Sequence, residues 1–200
     1  MKTALVLVPH PDDEVFCYGI CKDFDCHYVV FSDTRLDEWK AAHKYEDKVT
    51  FLNLKDTQFY ETKNAWKIAM KACDDLFERK RPALVLAPAR SHDRDHQFVN
   101  DVARCMVREN GNNDFSYEFL EYGYPACLAQ GWSPDNFFGV SNGLEEQKMT
   151  LWSKYASQHK RKLDSWFTQS GLLEFDRGMG RIVGFPYAEC YKHVFSKKVW

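Results

Sequence analysis

The sequence contains no Cys-x-x-Cys pair and no Gly-x-Gly-x-x-Gly. It also lacks any apolar run approaching the ~18 residues needed to span a bilayer. The first absence argues against zinc ribbons and thioredoxin-type redox sites. The second argues against a dinucleotide-binding turn, and the third against a transmembrane helix. Basic excess is missing too: 27 Lys plus Arg against 29 Asp plus Glu give a net charge of −2, and the pI is about 6.4. A dedicated nucleic-acid binder would carry surplus positive charge, so neither nucleic acid nor a membrane span enters the expected partners. Internal repeats and low-complexity tracts are also absent.

What is present is an ordinary globular composition, 44% hydrophobic and 28% charged over 200 residues. That length suits a single domain, residues 1–200, with a core large enough to need no staples. The seven cysteines (Cys17, Cys21, Cys26, Cys73, Cys105, Cys127 and Cys190) are odd in number and sit mostly among apolar residues. They read as structural thiols of a reducing compartment, and a cytoplasmic location is the expectation. The opening run Ala4–Val8 is too short for a signal-peptide core and meets Pro9-His10-Pro11-Asp12-Asp13-Glu14 at once. It reads as a buried strand.

Periodicity then alternates strands with helices. Strands are expected at Ala4–Val8, Tyr28–Phe31, Thr50–Leu54 and Ala83–Ala87, with helices at Glu14–Lys22, Leu36–Lys48, Ala65–Arg79 and His96–Arg108. The second half adds strands at Phe115–Glu121 and Asn136–Val140, and a closing segment around Tyr191–Phe195. A helix is expected over Leu144–Gln158, where Asn142 and Glu145 resemble a capping box. Gly171, Gly178, Gly180 and Gly184 mark a loop-rich stretch. The fold class is α/β: a Rossmann-like, mostly parallel sheet with helices on both faces.

Two loops that follow strands carry unusual densities of histidine and carboxylate, Pro9–Glu14 and Ser91-His92-Asp93-Arg94-Asp95-His96. In open parallel sheets ligands bind beyond the carboxyl ends of the strands, where both loops are expected. Pro11 pushes His10 towards an extended backbone, and Asp13 follows one helical turn later, so the two can converge. Asp12 and Asp13, being adjacent, must diverge. His10, Asp13 and His96 thus form a candidate metal set with room for water, the pattern of a catalytic zinc site. The same set also suits ferrous iron. Zinc lowers the pKa of a water it binds to about 7, and the unligated Asp12 is suited to act as general base. The bland alternative is that these residues only cap helix starts.

At these residues the sequence resembles the PIG-L/LmbE-like deacetylases, zinc enzymes that remove N-acetyl groups from N-acetylglucosamine conjugates. The resemblance rests on Pro9–Glu14, Phe51-Leu52-Asn53-Leu54-Lys55-Asp56, Arg81–Leu86, Lys148 with Tyr155-Ala156-Ser157-Gln158, and Tyr187-Ala188-Glu189-Cys190-Tyr191. It implies that His10, Asp13 and His96 bind zinc, that Asp12 is the base, and that the substrate is an N-acetylated sugar conjugate. The family commonly carries a histidine three residues before its last metal ligand, where this chain has Asp93. The resemblance offers His92 as oxyanion partner, oriented by Asp95; the alternative is an exposed loop histidine, with the oxyanion partner missing or supplied elsewhere. Arg35-Leu36-Asp37-Glu38 is similar to the family's Arg-x-x-Glu, which implies that Arg35 binds substrate; the alternative is an ion pair with Glu38. Hydrolysis of a phosphate ester and non-catalytic sugar binding are the competing functions.

Overall fold

Strand β1, Thr3–Val8, is apolar at successive positions because both faces of it are covered. Ala4, Val6 and Val8 point into one hydrophobic cluster, while Leu5 and Leu7 point into the other. In the computed structural model, which describes residues 1–43, 48–110, 114–161 and 168–199, β1 is an interior strand of a seven-stranded sheet. The strands are β2 (Asp25–Ser32), β3 (Val49–Leu54), β4 (Leu84–Pro88), β5 (Tyr117–Tyr122), β6 (Asn136–Val140) and β7 (Tyr187–Lys197). Their order is β3-β2-β1-β4-β5-β7-β6, with β1 to β5 parallel and β7 antiparallel to both β5 and β6. The order reverses between β1 and β4, so the loops leaving these two neighbours open at one switch point.

One face is covered by α3 (Ala65–Lys80) and α4 (Arg94–Glu109). Ala69, Cys73, Leu76 and Phe77 of α3, with Phe98, Val99, Val102, Ala103 and Met106 of α4, keep the helical period and are buried. Each fully buried Leu, Val or Phe contributes about 1.5–3 kcal/mol of transfer free energy. The other face holds α1 (Tyr18–Cys21), Trp39 of α2 (Leu36–Ala42), and Met149, Leu151 and Trp152 of α6 (Asn142–Trp152). Short α5 (Pro125–Ala129) follows β5. The seven cysteines are free, and burial pushes the thiols of Cys127 and Cys190 up to about 12, as inert core residues require. No helix among the described residues is long and apolar enough to cross a membrane.

The sheet and its covering helices match the expected class, with local corrections. The expected helix over Glu14–Lys22 is a 3-10 turn, Asp13–Cys17, followed by α1. The expected helix over Leu36–Lys48 is seen as α2, and residues 44–47 lie outside the described residues. The helix over Leu144–Gln158 is broken into α6 and α7 (Ala156–Arg161), and Ser141, rather than Asn142, caps α6 by accepting from the N–H of Leu144. The glycine-rich stretch is α8, Gln169–Val183, not a loop. Gly180 is there because a Cβ would meet the backbone of Phe185 and Tyr187 at 2.6–2.8 Å, and Gly184 ends the helix at φ 77°.

Candidate metal centre and active site

The loop after β1 turns at Asp12, whose φ of 127° is a costly conformation for a side-chain-bearing residue. The N–H of Asp13 donates to the carbonyl of His10 at 3.1 Å, closing the turn. This twist sends two adjacent carboxylates different ways. Oδ2 of Asp13 meets His10 Nδ1 at 3.2 Å and accepts from the backbone N–H of His10 at 3.0 Å. Oδ1 of Asp12 accepts from Nη2 of Arg35 at 3.3 Å.

The loop after β4 is phased by Asp93, whose side chain accepts from the N–H groups of Asp95 and His96 at 2.9 and 3.2 Å and so caps α4. His96, in the first turn, brings Nε2 to 3.2 Å from the same Oδ2 of Asp13. The rings of His10 and His96 lie 5.5 Å apart. One nitrogen from each ring and one carboxylate oxygen therefore meet at the β1/β4 switch point, all within 4.8 Å of one another. The donor set fits a divalent transition-metal ion. The other ring nitrogen of His96, Nδ1, is buried without a hydrogen-bond partner.

The electrostatics are those of a tightly packed charge cluster. Burial opposes protonation of His10, but hydrogen bonds with Asp13, Asp56 and Asp95 outweigh it and raise its pKa well above the ordinary histidine value. Burial would also raise Asp13, yet the His96 charge and the His10 contact hold it far below the usual carboxylate range. Asp12 goes the other way: burial, then the negative charge of Asp13, push it well up against the opposing pull of Arg35.

A cavity of about 480 Å³ opens onto these groups, and Phe16, Ser91, Tyr124, Gln130 and Gln158 help line it. Arg35 lines it too, donating through Nε to the Pro11 carbonyl at 3.0 Å as well as to Asp12. Glu38 does not pair with Arg35; it accepts from the N–H and hydroxyl of Ser157 at 2.8 and 2.7 Å. His92 follows the second of its two readings. It is exposed and outside the cavity lining, and its backbone N–H donates to Gln130 Oε1 at 2.7 Å. Asp95 likewise does not orient His92 but turns inward to His10 Nε2 at 3.3 Å. The cap at Asp93 decides this, because it fixes which residues of the loop enter the first turn of α4.

Asp56, at the end of the run Phe51–Asp56, carries no local signal of a site role, yet its Oδ1 lies 3.0 Å from His10 Nε2. Tyr124 also borders the cavity. It is 5% exposed, packs edge-on to His96 at 5.0 Å and donates to Ser91 Oγ at 2.5 Å.

No protein-family model and no curated protein matches the sequence. Solved structures do match in fold. The 4-carboxy-2-hydroxymuconate hydratase GalB from Pseudomonas putida KT2440 superposes with a TM-score of 0.76 at 18% identity, covering 100% of this chain and 99% of its own. A deacetylase of teicoplanin biosynthesis superposes at 0.75 with 14% identity, covering 98% and 99%. The fold is PIG-L/LmbE-like. A zinc-inhibited form of the teicoplanin deacetylase gives 0.73 at 14% identity, with coverage of 98% and 99%. At these identities the likeness concerns the fold.

Proposed function

We propose that the protein, acting as one domain over residues 1–200, is a metal-dependent hydrolase that removes the N-acetyl group from an N-acetylglucosamine-type sugar or sugar conjugate. The observation that carries this reading is the separation of Asp12 from Asp13. Asp13 joins His10 and His96 around one point, while Asp12 is held beside that point by Arg35. His10, Asp13 and His96 would hold the ion, zinc or ferrous iron. When bound, the cation supplies Lewis acidity that polarises an amide carbonyl and eases ionisation of water.

The chain's own residues do the rest. Asp12, buried and held by Arg35, takes the proton of the attacking water and delivers it to the departing nitrogen, giving acetate and a free amine. Arg35 acts in this reading chiefly by fixing Asp12, since its Nε and Nη2 are both engaged at the Pro11–Asp12 turn. The cavity, with Gln130 and Gln158 among its walls, gives a hydrated sugar hydrogen-bonding surface. Deacetylases of the same fold support amide hydrolysis. The hydratase supports a second reading in which the same base assists addition of water to a carbon–carbon double bond.

The deciding experiment supplies zinc or ferrous iron to the protein and measures acetate release from a panel of N-acetylated sugars. Release that disappears in Asp12→Asn and after chelation is expected. No release from any panel member, with turnover of an unsaturated hydroxy-acid instead, would replace the deacetylase reading by the hydratase one.

A further inference from the structure

The imidazole of His10 has carboxylates on both sides. Nδ1 faces Asp13, whereas Nε2 lies 3.0 Å from Oδ1 of Asp56 and 3.3 Å from Oδ2 of Asp95. A metal-ligating histidine almost always gives its remaining ring N–H to a carboxylate, a carbonyl or water, which fixes its tautomer and its aim. We propose that Asp56 and Asp95 are positioning residues that together hold a proton on Nε2 of His10, so that the Nδ1 lone pair faces Asp13 and His96. This inference rests on the metal-site reading and adds to it the device that selects one nitrogen of His10 as ligand.

Asp95 is itself immobilised. Its Oδ2 accepts from the N–H of Thr57 at 2.6 Å, and its Oδ1 from that of Phe59 at 3.3 Å. Its own N–H is held by the Asp93 cap. Asp56 comes from the end of β3, with its N–H on Oδ1 of Asp33 at 3.2 Å. Three separate stretches of chain, after β1, after β3 and at the start of α4, therefore converge on one imidazole. Phe59 packs against the ring with centroids 5.8 Å apart, opposing rotation. A ring flip would turn carbon towards both aspartates and leave two buried or half-buried anions without their shared donor, which is costly.

The donors on the Nε2 side are close enough to suggest a second cation instead, since His10, Asp56 and Asp95 offer atoms within 4.8 Å of one another. The proton is favoured for two reasons. Both Asp95 oxygens already accept backbone N–H groups, and ions on both sides of His10 would require its ring to lose both protons.

The test uses the full chain and zinc. Competition against a chromogenic chelator measures affinity and stoichiometry for wild type, Asp56→Asn, Asp56→Ala and the double variant Asp56→Ala/Asp95→Asn. Long-range ¹H–¹⁵N spectra of the zinc-loaded protein report the tautomer of His10. Asp56 is the safer position to change, because Asp95 also anchors the loop through Thr57 and Phe59. The expected result is one zinc per chain, with His10 bound through Nδ1 and protonated at Nε2. Affinity should fall about 10- to 100-fold in the double variant. Asp56→Asn should lose less than Asp56→Ala, because its amide oxygen still accepts the bond. Unchanged affinity in every variant, or coordination through Nε2, would overturn the proposal. Two zinc ions per wild-type chain, with one lost in the Asp56 variants, would overturn it in favour of a second cation site. Absence of zinc from wild type, or zinc retained in Asp13→Ala/His96→Ala, would instead refute the metal centre itself.

Discussion

Nη2 of Arg35 stands 3.3 Å from Oδ1 of Asp12, while Nε of the same guanidinium donates to the carbonyl of Pro11 at 3.0 Å. One side chain from the start of the second helix thereby grips the backbone and the carboxylate of the strained turn after β1. Arg35 itself adopts a left-handed conformation, φ 55°, to reach it.

Removing this grip should affect the base more than the metal. In Arg35→Ala, zinc stoichiometry is expected to stay at the wild-type value while kcat falls about 10²-fold, the usual cost of a misplaced reacting group. Metal analysis alongside steady-state kinetics checks the pair. Loss of the metal with the arginine would show that Arg35 builds the site rather than aiming Asp12.

His92→Ala should leave zinc affinity and turnover unchanged, since the imidazole is exposed and outside the cavity lining. Its unfolding free energy is expected to stay within about 0.5 kcal/mol of wild type. A large fall in kcat would mean that the loop swings His92 inward during the reaction.

Asp93→Ala removes the cap of α4 and should destabilise the protein by about 1 kcal/mol in chemical denaturation. Because Asp95 and His96 occupy the first turn that this cap holds, zinc affinity should fall as well. Asp93→Ser or Asp93→Asn, which can cap the helix, should recover most of both losses.

A buried ionic cluster joining α6, α8 and β7 gives a pH prediction. Nζ of Lys148 lies 2.5 Å from Asp176 Oδ2 and 3.2 Å from Glu189 Oε1, and Glu189 also accepts from the N–H of Gly19 at 2.7 Å. Burial raises Glu145 from 4.5 to about 8 and Asp176 from 3.8 to about 6, against the opposing charge of Lys148. Both carboxyl oxygens of Glu145 are buried without a hydrogen-bond partner, which further disfavours its ionised form. Carboxyls raised in the folded state bind more protons there than in the unfolded chain. Their contribution is therefore full below about pH 4 and is lost as pH rises towards 8. Glu145→Gln should gain stability relative to wild type as pH goes from 5 to 8, measured by denaturant unfolding at each pH. A difference independent of pH would show that Glu145 is ionised throughout.

The two chemistry-bearing loops were legible because their signals are local. An apolar run ending in Pro9-His10-Pro11 announces a strand and an extended exit, and the alternation of strands with helices places the loops after β1 and β4 on one edge. Asp56 and the inward turn of Asp95 were not legible, since each depends on how three loops pack around one imidazole. The position of His92 turned on a capping choice between neighbouring polar residues. Helix α8 was misread because its glycines answer to the close approach of the Phe185–Tyr187 backbone and to a helix end, not to a loop.

By itself, the sequence determined the class of sheet, its buried first strand and the placing of His10, Asp12, Asp13 and His96 in two loops that follow strands, because periodicity and proline geometry act over a few residues. Tertiary structure alone decided that Arg35 holds Asp12, that Asp56 and Asp95 flank His10, and that His92 faces solvent. Those relationships join side chains from separate loops, and only the packed sheet fixes the distances over which their charges and hydrogen bonds act.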